Sequence, residues 1–124
     1  MIEVVTHNES VQERLRDAFR ACPDDFELMK QAINDNEVSI YLIQGDDYHL
    51  AVAGEVVGHD YFVWAVEGTG AVQATRELAA YVKNSGLTAI TTKTYFPLVA
   101  RLLKRLGHVS TLNQGDHQLL RWEV

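Results

Sequence analysis

The apolar residues of this chain change their spacing in its central third, where a helical pattern gives way to two-residue alternation. Three consecutive segments follow the new spacing, "EVSIYLIQ", "YHLAVAGEVV" and "YFVWAV", and only the short turns "GDD" and "GHD" separate them. Alternation of this kind is typical of strands, and turns this short join antiparallel neighbours. Since apolar side chains occur on both faces of these strands, we expect helices to cover both sides of the sheet.

Two helices are predicted before these strands, and they follow a short first strand, "MIEVVT". The first lies in "NESVQERLRDAFRAC", where Ser10 and Glu13 have the spacing of a capping box. The second begins after Pro23, because proline is tolerated in a first turn and the acids that follow suit the positive end of the helix dipole. Both helices carry apolar residues along one side, as helices that pack on a sheet do.

Helices and strands alternate in the rest of the chain. A helix is predicted from Ala71 to a C-capping Gly86, followed by the strand "LTAITTKTY", a helix in "FPLVARLLKRLG" and two strands around "NQGD". Two strands of one sheet that are joined through a helix form a right-handed crossover, so "YFVWAV" and "LTAITTKTY" should be parallel neighbours. Leu102 and Leu106 should be buried on the inner side of the late helix.

These elements predict the α/β (α+β) class, with a central mixed and mostly antiparallel sheet of about seven strands and helices on both faces. A chain of 124 residues with 47% hydrophobic residues is long and apolar enough to bury a core. No repeat or linker composition interrupts it, so residues 1–124 are predicted to form a single domain.

Charge and cysteine content limit the compartment and the partners. The formal net charge is −6, and no run of Lys and Arg forms a basic stripe, which argues against nucleic-acid binding. The one cysteine, Cys22, cannot form an internal disulfide, and its place on an apolar helix face predicts a small core residue. Without a leader or an apolar span of membrane length, we expect a soluble, cytoplasmic protein with no membrane partner.

The stretch "EGTGAVQ" places two glycines, Gly68 and Gly70, between a predicted strand and a predicted helix. A helix N-terminus offers unpaired N–H groups at the positive end of its dipole, and glycines let a diphosphate approach the backbone closely. The same two glycines could instead form only a tight turn that leads into the helix. A glycine pair alone does not decide between these interpretations.

The order of elements resembles that of the GNAT superfamily of acyl-CoA-dependent N-acyltransferases, and the resemblance covers essentially the whole chain. It rests on "FVWAVEGTGAVQATRELAAYV" for the fourth strand with its loop and helix, and on "FPLVARLLKRLGHV" for the late helix. In that family two neighbouring strands splay apart to hold the pantetheine of CoA, and the loop after the fourth strand holds the diphosphate. The resemblance implies acetyl-CoA as co-substrate and acetyl transfer to an amine. It also implies a binding site for acetyl-CoA at Val66, Gly68, Thr69, Gly70, Ala71 and Val72.

Acyl transfer to an amine needs a base for the ammonium proton and an acid for the leaving thiolate. The candidate bases are Glu55, on the strand beside the predicted CoA strand, and Glu67, at the end of the CoA strand. Alternatively, Glu55 is a solvent-facing strand residue and Glu67 is an acid at the start of a helix. Tyr95, at the end of the next strand, is the candidate acid, or else an aromatic packed at a strand end. The histidines show no paired spacing for a metal, so no metal site is predicted.

Two positions keep a non-catalytic function open. Ala65 stands where the family usually carries an Arg or Gln before its glycines, and Leu103 stands where it often carries a tyrosine acid. The short loop and the ending "LLKRLG" also resemble those of phage-encoded GNAT-like proteins, some of which are virion-associated. The alternative is therefore a phage-encoded, GNAT-like protein that acts through protein contacts, in the host cytoplasm or the virion.

A plain ligand-binding module that has the cleft but lacks base and acid is a third alternative. The sequence also leaves open the acceptor, which is a small-molecule or protein amine, and the oligomeric state, a homodimer included.

Overall fold

A computed structural model of the chain describes residues 1–95, 104, 107 and 109–124. The strands in these residues are β1 (Ile2–Val4), β2 (Ser39–Gln44), β3 (His49–Val57), β4 (Asp60–Thr69), β5 (Ala89–Thr94), β6 (Ser110–Asn113) and β7 (Gln118–Glu123). The helices are α1 (Glu9–Arg14), a 3₁₀ helix (Leu15–Phe19), α2 (Asp24–Asn34) and α3 (Ala71–Asn84). Leu102, Leu103 and Leu106 of the predicted late helix lie outside the described residues.

The seven strands form one sheet in the order β1-β2-β3-β4-β5-β7-β6. Neighbouring strands are antiparallel throughout, except that β4 and β5 are parallel and are joined through α3. The predicted mixed, mostly antiparallel sheet and the predicted parallel pair are therefore confirmed. The strand order follows from the short turns, which make each strand of the meander pair with the next one along the chain.

One side of the sheet, which we call the first face, is covered by α1, the 3₁₀ helix and α2. Ala51 and Ala53 of β3 are fully buried there, and their small side chains let the helices approach the sheet closely. The larger residues of this core are Val11, Leu15, Phe19, Phe26, Met29, Ile33, Val38 and Ile40.

The opposite side, the second face, is covered by α3. Leu78 and Val82 of this helix are buried against the sheet. The sheet residues of this second core are Ile43, Leu50, Val52, Tyr61, Val63 and Ile90. Helices thus cover both faces, as the apolar residues on both sides of the strands predicted. Among the helices that the structure describes, none has the length and apolar character needed to span a membrane.

The first helix begins earlier in the chain than its predicted capping box. The Oδ1 atom of Asn8 accepts a hydrogen bond from the backbone N–H of Val11 at 3.1 Å, so Asn8 is the N-cap. The predicted box at Ser10 and Glu13 is wrong, because Glu13 lies inside the helix and forms an ion pair with Arg16. The α-helix then tightens into the 3₁₀ helix, which leaves Cys22 beyond both helices and only half-buried.

Candidate functional site

Over residues 60–63 the strand β4 has a neighbour on both edges, whereas over residues 64–69 its pairing with the described residues is on one edge only. On one side β3 follows it as far as Thr69. On the other side the last pair with β5 is Val63–Thr92, where Thr92 Oγ1 donates a hydrogen bond to the Val63 carbonyl at 2.9 Å. We call residues 60–63 the closed half of β4, residues 64–69 its open half, and the gap beside the open half the β4–β5 cleft.

A β-bulge separates the two halves. Ala53 of β3 pairs with Ala65, and the next residue, Gly54, pairs with Val63, so Trp64 is the extra residue of β4. A bulge bends its strand and increases the local twist. The bulge at Trp64 therefore accounts for the divergence of β4 from β5 at this point.

The strand β4 continues further than the sequence predicted and includes the first glycine of "EGTG". Gly68 and Thr69, predicted to form a loop, are strand residues because they pair with Leu50 and His49 of β3. Gly68 has a φ of +141°, and a Cβ on it would overlap the carbonyl oxygen of His49. This close approach of two backbones explains why position 68 is a glycine.

The second glycine of the pair marks the start of α3. Gly70 is the N-cap, in the left-handed conformation at φ +69°, and a Cβ on it would overlap the side chain of Tyr48. Gly70 has no side chain that could cap the helix, and the first turn contains no acidic residue. The first N–H groups of α3, at Ala71 and Val72, therefore keep their partial positive charge at the mouth of the cleft. Such a helix N-terminus can bind an anion.

Glu67 lies on the first face at the end of the open half, where it forms an ion pair with Arg14 of α1. The distances from its Oε2 atom are 2.8 Å to Arg14 Nε and 2.7 Å to the second guanidinium nitrogen, Nη2. Both guanidinium Nη atoms also lie 3.4 Å from His49 Nε2. The arrangement brings three ionisable groups from three elements together at the end of the open half of β4, with about a third of each side chain of the ion pair exposed.

Glu55 lies on β3 in a different environment. It pairs with Phe62 of the closed half, and its Oε1 atom accepts a hydrogen bond from Trp64 Nε1 at 3.0 Å. Glu67 pairs with Ala51, which is four residues away from Glu55 along β3. At about 3.3 Å per residue the two carboxylates sit at levels about 13 Å apart along the sheet. The two predicted bases are therefore not brought together, and one reacting centre can use only one of them.

Tyr95 is the residue that follows Thr94, the last residue of β5. It comes three residues after Thr92. Because Trp64 is an extra residue of β4, the residue three register steps beyond Val63 is Glu67, so Tyr95 stands at the level of Glu67. Val66, one residue before Glu67, is 41% exposed. The ring of Tyr95 lies 5.6 Å from the ring of His117, in the loop between β6 and β7. Tyr95 as the acid stays a prediction.

Metal ligands do not gather at this site. Within residues 1–95 and the described part of the C-terminal segment, no three His, Cys, Asp or Glu side chains are close enough together to hold a metal ion.

The sequence did not predict the contacts of Arg14, His49 and His117. Nothing in the local pattern connects Arg14 with Glu67, which lies 53 residues further along the chain. For the two histidines the sequence predicted no role. His49 lies where β3 begins and Glu67 lies near the end of β4, so the two residues are at the same end of this hairpin. Polar residues at these two positions are the sequence signal for such a cluster.

No protein-family model matches the sequence, and no curated protein matches it either. Solved structures do match, and the fold is that of the GNAT acetyltransferases. An acetyltransferase from Bacillus subtilis, solved with CoA, superposes with a TM-score of 0.70 at 10% identity, over 99% of this chain and 97% of that one. The ribosomal-protein-S18-alanine N-acetyltransferase of Escherichia coli gives 0.69 at 8% identity, over 99% and 92%. The GNAT domain of S. lividans PAT gives 0.61 at 11% identity, over 99% and 89%.

Proposed function

We propose that this protein is an N-acetyltransferase that uses acetyl-CoA as its co-substrate and transfers the acetyl group to an amine. The observation that carries the proposal is the β4–β5 cleft, which opens at a bulge and ends at the N-terminus of α3. Solved structures of this fold include proteins with CoA bound. Residues 1–124 would act as a single domain.

The groups around the cleft suit acetyl-CoA. The N–H groups at Gly70, Ala71 and Val72, with Gly68 and Thr69 just before them, would hold the diphosphate, since no acid in the first turn of α3 opposes an anion. Around Val66, the backbone N–H and C=O groups on the edge of the open half away from β3 would form hydrogen bonds with the amide groups of pantetheine. The thioester, when bound, supplies an activated acetyl group.

Chemistry would take place at the open half of β4, around Val66 and Glu67. A backbone N–H near Val66 would stabilise the negative charge that develops on the thioester oxygen. The hydroxyl of Tyr95 would donate a proton to the thiolate that leaves. Glu55 and Glu67 stay predictions as bases, and Glu67 is favoured over Glu55 because it lies at the open half.

The acceptor would be an amine on a small molecule or on a protein. The solved structures of this fold include an aminoglycoside 6'-acetyltransferase and a ribosomal-protein-S18-alanine N-acetyltransferase, so both kinds of acceptor are compatible with the architecture. We further propose that the protein works in the cytoplasm, without a nucleic-acid or membrane partner, as a monomer or a homodimer.

One observation favours a second candidate function, a GNAT-like protein without catalysis. Packing explains both glycines of "EGTG" without any ligand, because Gly68 meets the backbone of β3 and Gly70 meets Tyr48. Ala65, where the family usually carries an Arg or Gln, is buried in the strand pairing with Ala53. Such a protein, phage-encoded or otherwise, would act through protein contacts.

Calorimetric titration with CoA distinguishes these functions. CoA and dephospho-CoA should bind with similar affinity, because both contain the diphosphate, and pantetheine should bind far more weakly. A substitution at Gly70 cannot serve as the test, since any side chain there would also displace Tyr48. Gln73→Glu is preferable, because the exposed Gln73 lies in the first turn of α3, where a carboxylate favours the helix but repels a diphosphate.

Gln73→Glu should weaken CoA binding about tenfold or more, through like-charge repulsion. Ala80→Glu, which adds the same charge to an exposed position later in α3, is the matched control and should bind CoA like the parent. No heat and no thermal shift of the parent at millimolar acetyl-CoA would exclude the enzyme and leave the non-catalytic function. If the parent binds acetyl-CoA, turnover is measured as the release of CoA thiol. The amines offered are spermidine, kanamycin and a peptide with an N-terminal alanine.

A further inference from the structure

The bulge at Trp64 decides where the β4–β5 cleft begins, so the contacts that hold the bulge in place bear on the whole site. An extra residue can stand at any position of a strand, and each position that it passes turns one side chain to the other face of the sheet. The structure must therefore specify that Trp64, rather than a neighbour, is the extra residue of β4. Three contacts around the bulge do so, and one of them involves Glu55, the less favoured of the two predicted bases.

On the first face the bulge is held through the side chain of Trp64. The indole packs partly buried against the core of this face, and its Nε1 donates a hydrogen bond of 3.0 Å to Glu55 Oε1 on β3. Because Glu55 pairs with Phe62, two residues before Trp64, this bond runs diagonally across the hairpin. The ring of Phe62 contacts the indole edge-to-face, with ring centroids 6.3 Å apart. A shift of the bulge that turned Trp64 to the second face would break all of these contacts.

The residues just before the bulge are fixed by two further contacts. On the second face the ring of Tyr61 covers Gly54, so closely that a Cβ on Gly54 would lie 2.3–2.5 Å from the end of the ring, at 2.4 Å from Cζ. At the edge of the strand, Thr92 Oγ1 donates a hydrogen bond of 2.9 Å to the carbonyl of Val63. The closed half is therefore anchored to β3 and β5 as far as Val63, and the extra residue cannot move into it without breaking these contacts.

The open half leaves the extra residue a short range of alternative positions. Gly68 is anchored to the backbone of β3 near the far end of this half, so the alternatives are residues 65–67. They are an alanine, a valine and a glutamate, and none of these side chains carries an N–H donor. Resting on the proposed function, we propose that Glu55 is a positioning residue. Its hydrogen bond with Trp64 keeps the bulge at Trp64 and thereby maintains the cleft in the form that binds CoA.

This role agrees with the surroundings of Glu55. It lies in register with the closed half, away from the open half where the chemistry is proposed. A hydrogen bond to a carboxylate is stronger than one between neutral groups, and partial burial strengthens it further. The role requires an oxygen acceptor at the end of the side chain but no negative charge. A glutamine at position 55 can therefore replace the glutamate as a positioning residue, whereas it could not replace a base.

The first test compares the affinity of variants for CoA by calorimetric titration. Glu55→Met keeps the length of the side chain but removes the acceptor, and it should raise the apparent Kd about tenfold, because only molecules with the bulge at Trp64 bind. Glu55→Gln should bind CoA like the parent. Trp64→Phe removes the donor and should match Glu55→Met, and the two changes together should have no larger effect than either alone. Glu123→Met, at an exposed position of β7, is the matched control and should bind CoA like the parent.

The second test locates the bulge without any ligand, through amide hydrogen exchange measured by NMR. In an antiparallel pair alternate residues donate to the partner strand, so β3 protects alternate amides of residues 64–69, and a displaced bulge changes which ones. In Glu55→Met and Trp64→Phe the contrast in exchange rate between neighbouring residues of this stretch should fall, while Glu55→Gln should keep the parent's contrast. A variant that is only less stable would instead exchange faster at the protected amides of the whole sheet.

The outcomes separate this proposal from the proposed function. CoA affinities within about twofold of the parent in both Glu55→Met and Trp64→Phe overturn the positioning role and leave the proposed function intact. Equal losses of affinity in Glu55→Gln and Glu55→Met also overturn it, because the charge of Glu55 would then be what matters. If the parent does not bind CoA, the proposed function falls, and the exchange pattern alone decides whether Glu55 holds the bulge. An exchange contrast equal to the parent's in both variants overturns the role of Glu55, whether or not CoA binds.

Discussion

The closed and open halves of β4 are consecutive stretches of one strand, but their surroundings differ. In the closed half the strand has β3 on one edge and β5 on the other, and Tyr61 and Val63 are buried under α3. In the open half its one neighbour within the described part of the chain is β3, and Val66 is exposed. One inserted residue, Trp64, marks the change. A single bulge thus lets one strand serve the core first and a candidate ligand cleft afterwards.

The comparison makes a general prediction about substitutions. Truncation of buried apolar side chains in or beside the closed half should reduce stability and leave ligand binding alone, whereas changes to the exposed side chains of the open half should alter ligand binding and leave stability almost unchanged. The glycines of the open half are the exception, because their role is to let two backbones approach.

The largest effect is expected at Gly68. In Gly68→Ala the new Cβ meets the carbonyl oxygen of His49, and a non-glycine residue must adopt a φ of +141°. Overlap and backbone strain together should lower the free energy of unfolding by about 4 kcal/mol. Gly58→Ala, in the turn between β3 and β4, is the control, since its Cβ would meet no atom within 4 Å and should cost about 1 kcal/mol. Urea denaturation measures both, and equal costs would contradict the strand pairing of Gly68.

The next effect concerns the core beneath the closed half. Ile90 of β5 pairs with Tyr61 and is 8% exposed, so Ile90→Ala should lower the free energy of unfolding by about 3 kcal/mol. Val66→Ala removes part of an exposed side chain in the open half and should change it by less than about 0.5 kcal/mol. Similar costs at both positions would mean that β4 is equally buried along its length.

The two carboxylates give the matching comparison of activity. Glu67→Gln should lower the rate of acetyl transfer at least tenfold more than Glu55→Gln does, because Glu67 and its ion pair with Arg14 lie at the open half. The rates are compared at saturating acetyl-CoA. A hundredfold loss in Glu55→Gln, with Glu67→Gln near the parent, would place the reaction at the closed half instead.

The smallest effect is expected at the hydroxyl of Tyr61. Burial, with added repulsion from Tyr41 and Tyr81, raises the pKa of Tyr61 well above its usual range. A folded state that keeps this proton loses stability as the pH rises above about 10, where the unfolded chain ionises. The hydroxyl is buried, and within the described residues it has no hydrogen-bond partner.

Tyr61→Phe should therefore raise the free energy of unfolding at neutral pH by about 0.5–1 kcal/mol, since it removes an unsatisfied buried group. It should also lessen the loss of stability between pH 10 and 11. If Tyr61→Phe loses as much stability between pH 10 and 11 as the parent does, the ionisation of other tyrosines causes that loss.

The sequence predicted the sheet, the parallel pair and the helices on both faces, because burial imposes a two-residue period on strands and a longer one on helices. It did not predict that β4 would include Gly68 and Thr69. Strand length depends on the partner strand, and β3 extends to His49. The turn preference of the glycines suggested a loop, but β3 supplied hydrogen-bond partners for both residues.

The candidate site was predictable only in part. The predicted parallel pair put Tyr95 at the end of the strand beside β4, and the helix N-terminus followed from the glycines. The ion pair of Arg14 with Glu67 joins a helix and a strand that are far apart in the chain, and the bulge at Trp64 has no sequence signature of its own. Contacts of this kind arise from tertiary packing, which no local pattern encodes.

The strand order of the sheet also bears on how the chain folds. From β1 to β5 the order in space is the order in the chain, so each new strand finds its neighbour already in place. A sheet of this kind can grow as the polypeptide leaves the ribosome, with β2, β3 and β4 closing through short turns before β5 is made. Only the last two strands exchange places, since β7 lies between β5 and β6. The final hairpin therefore docks as a unit, because β7 pairs with β5 on one edge and with β6 on the other.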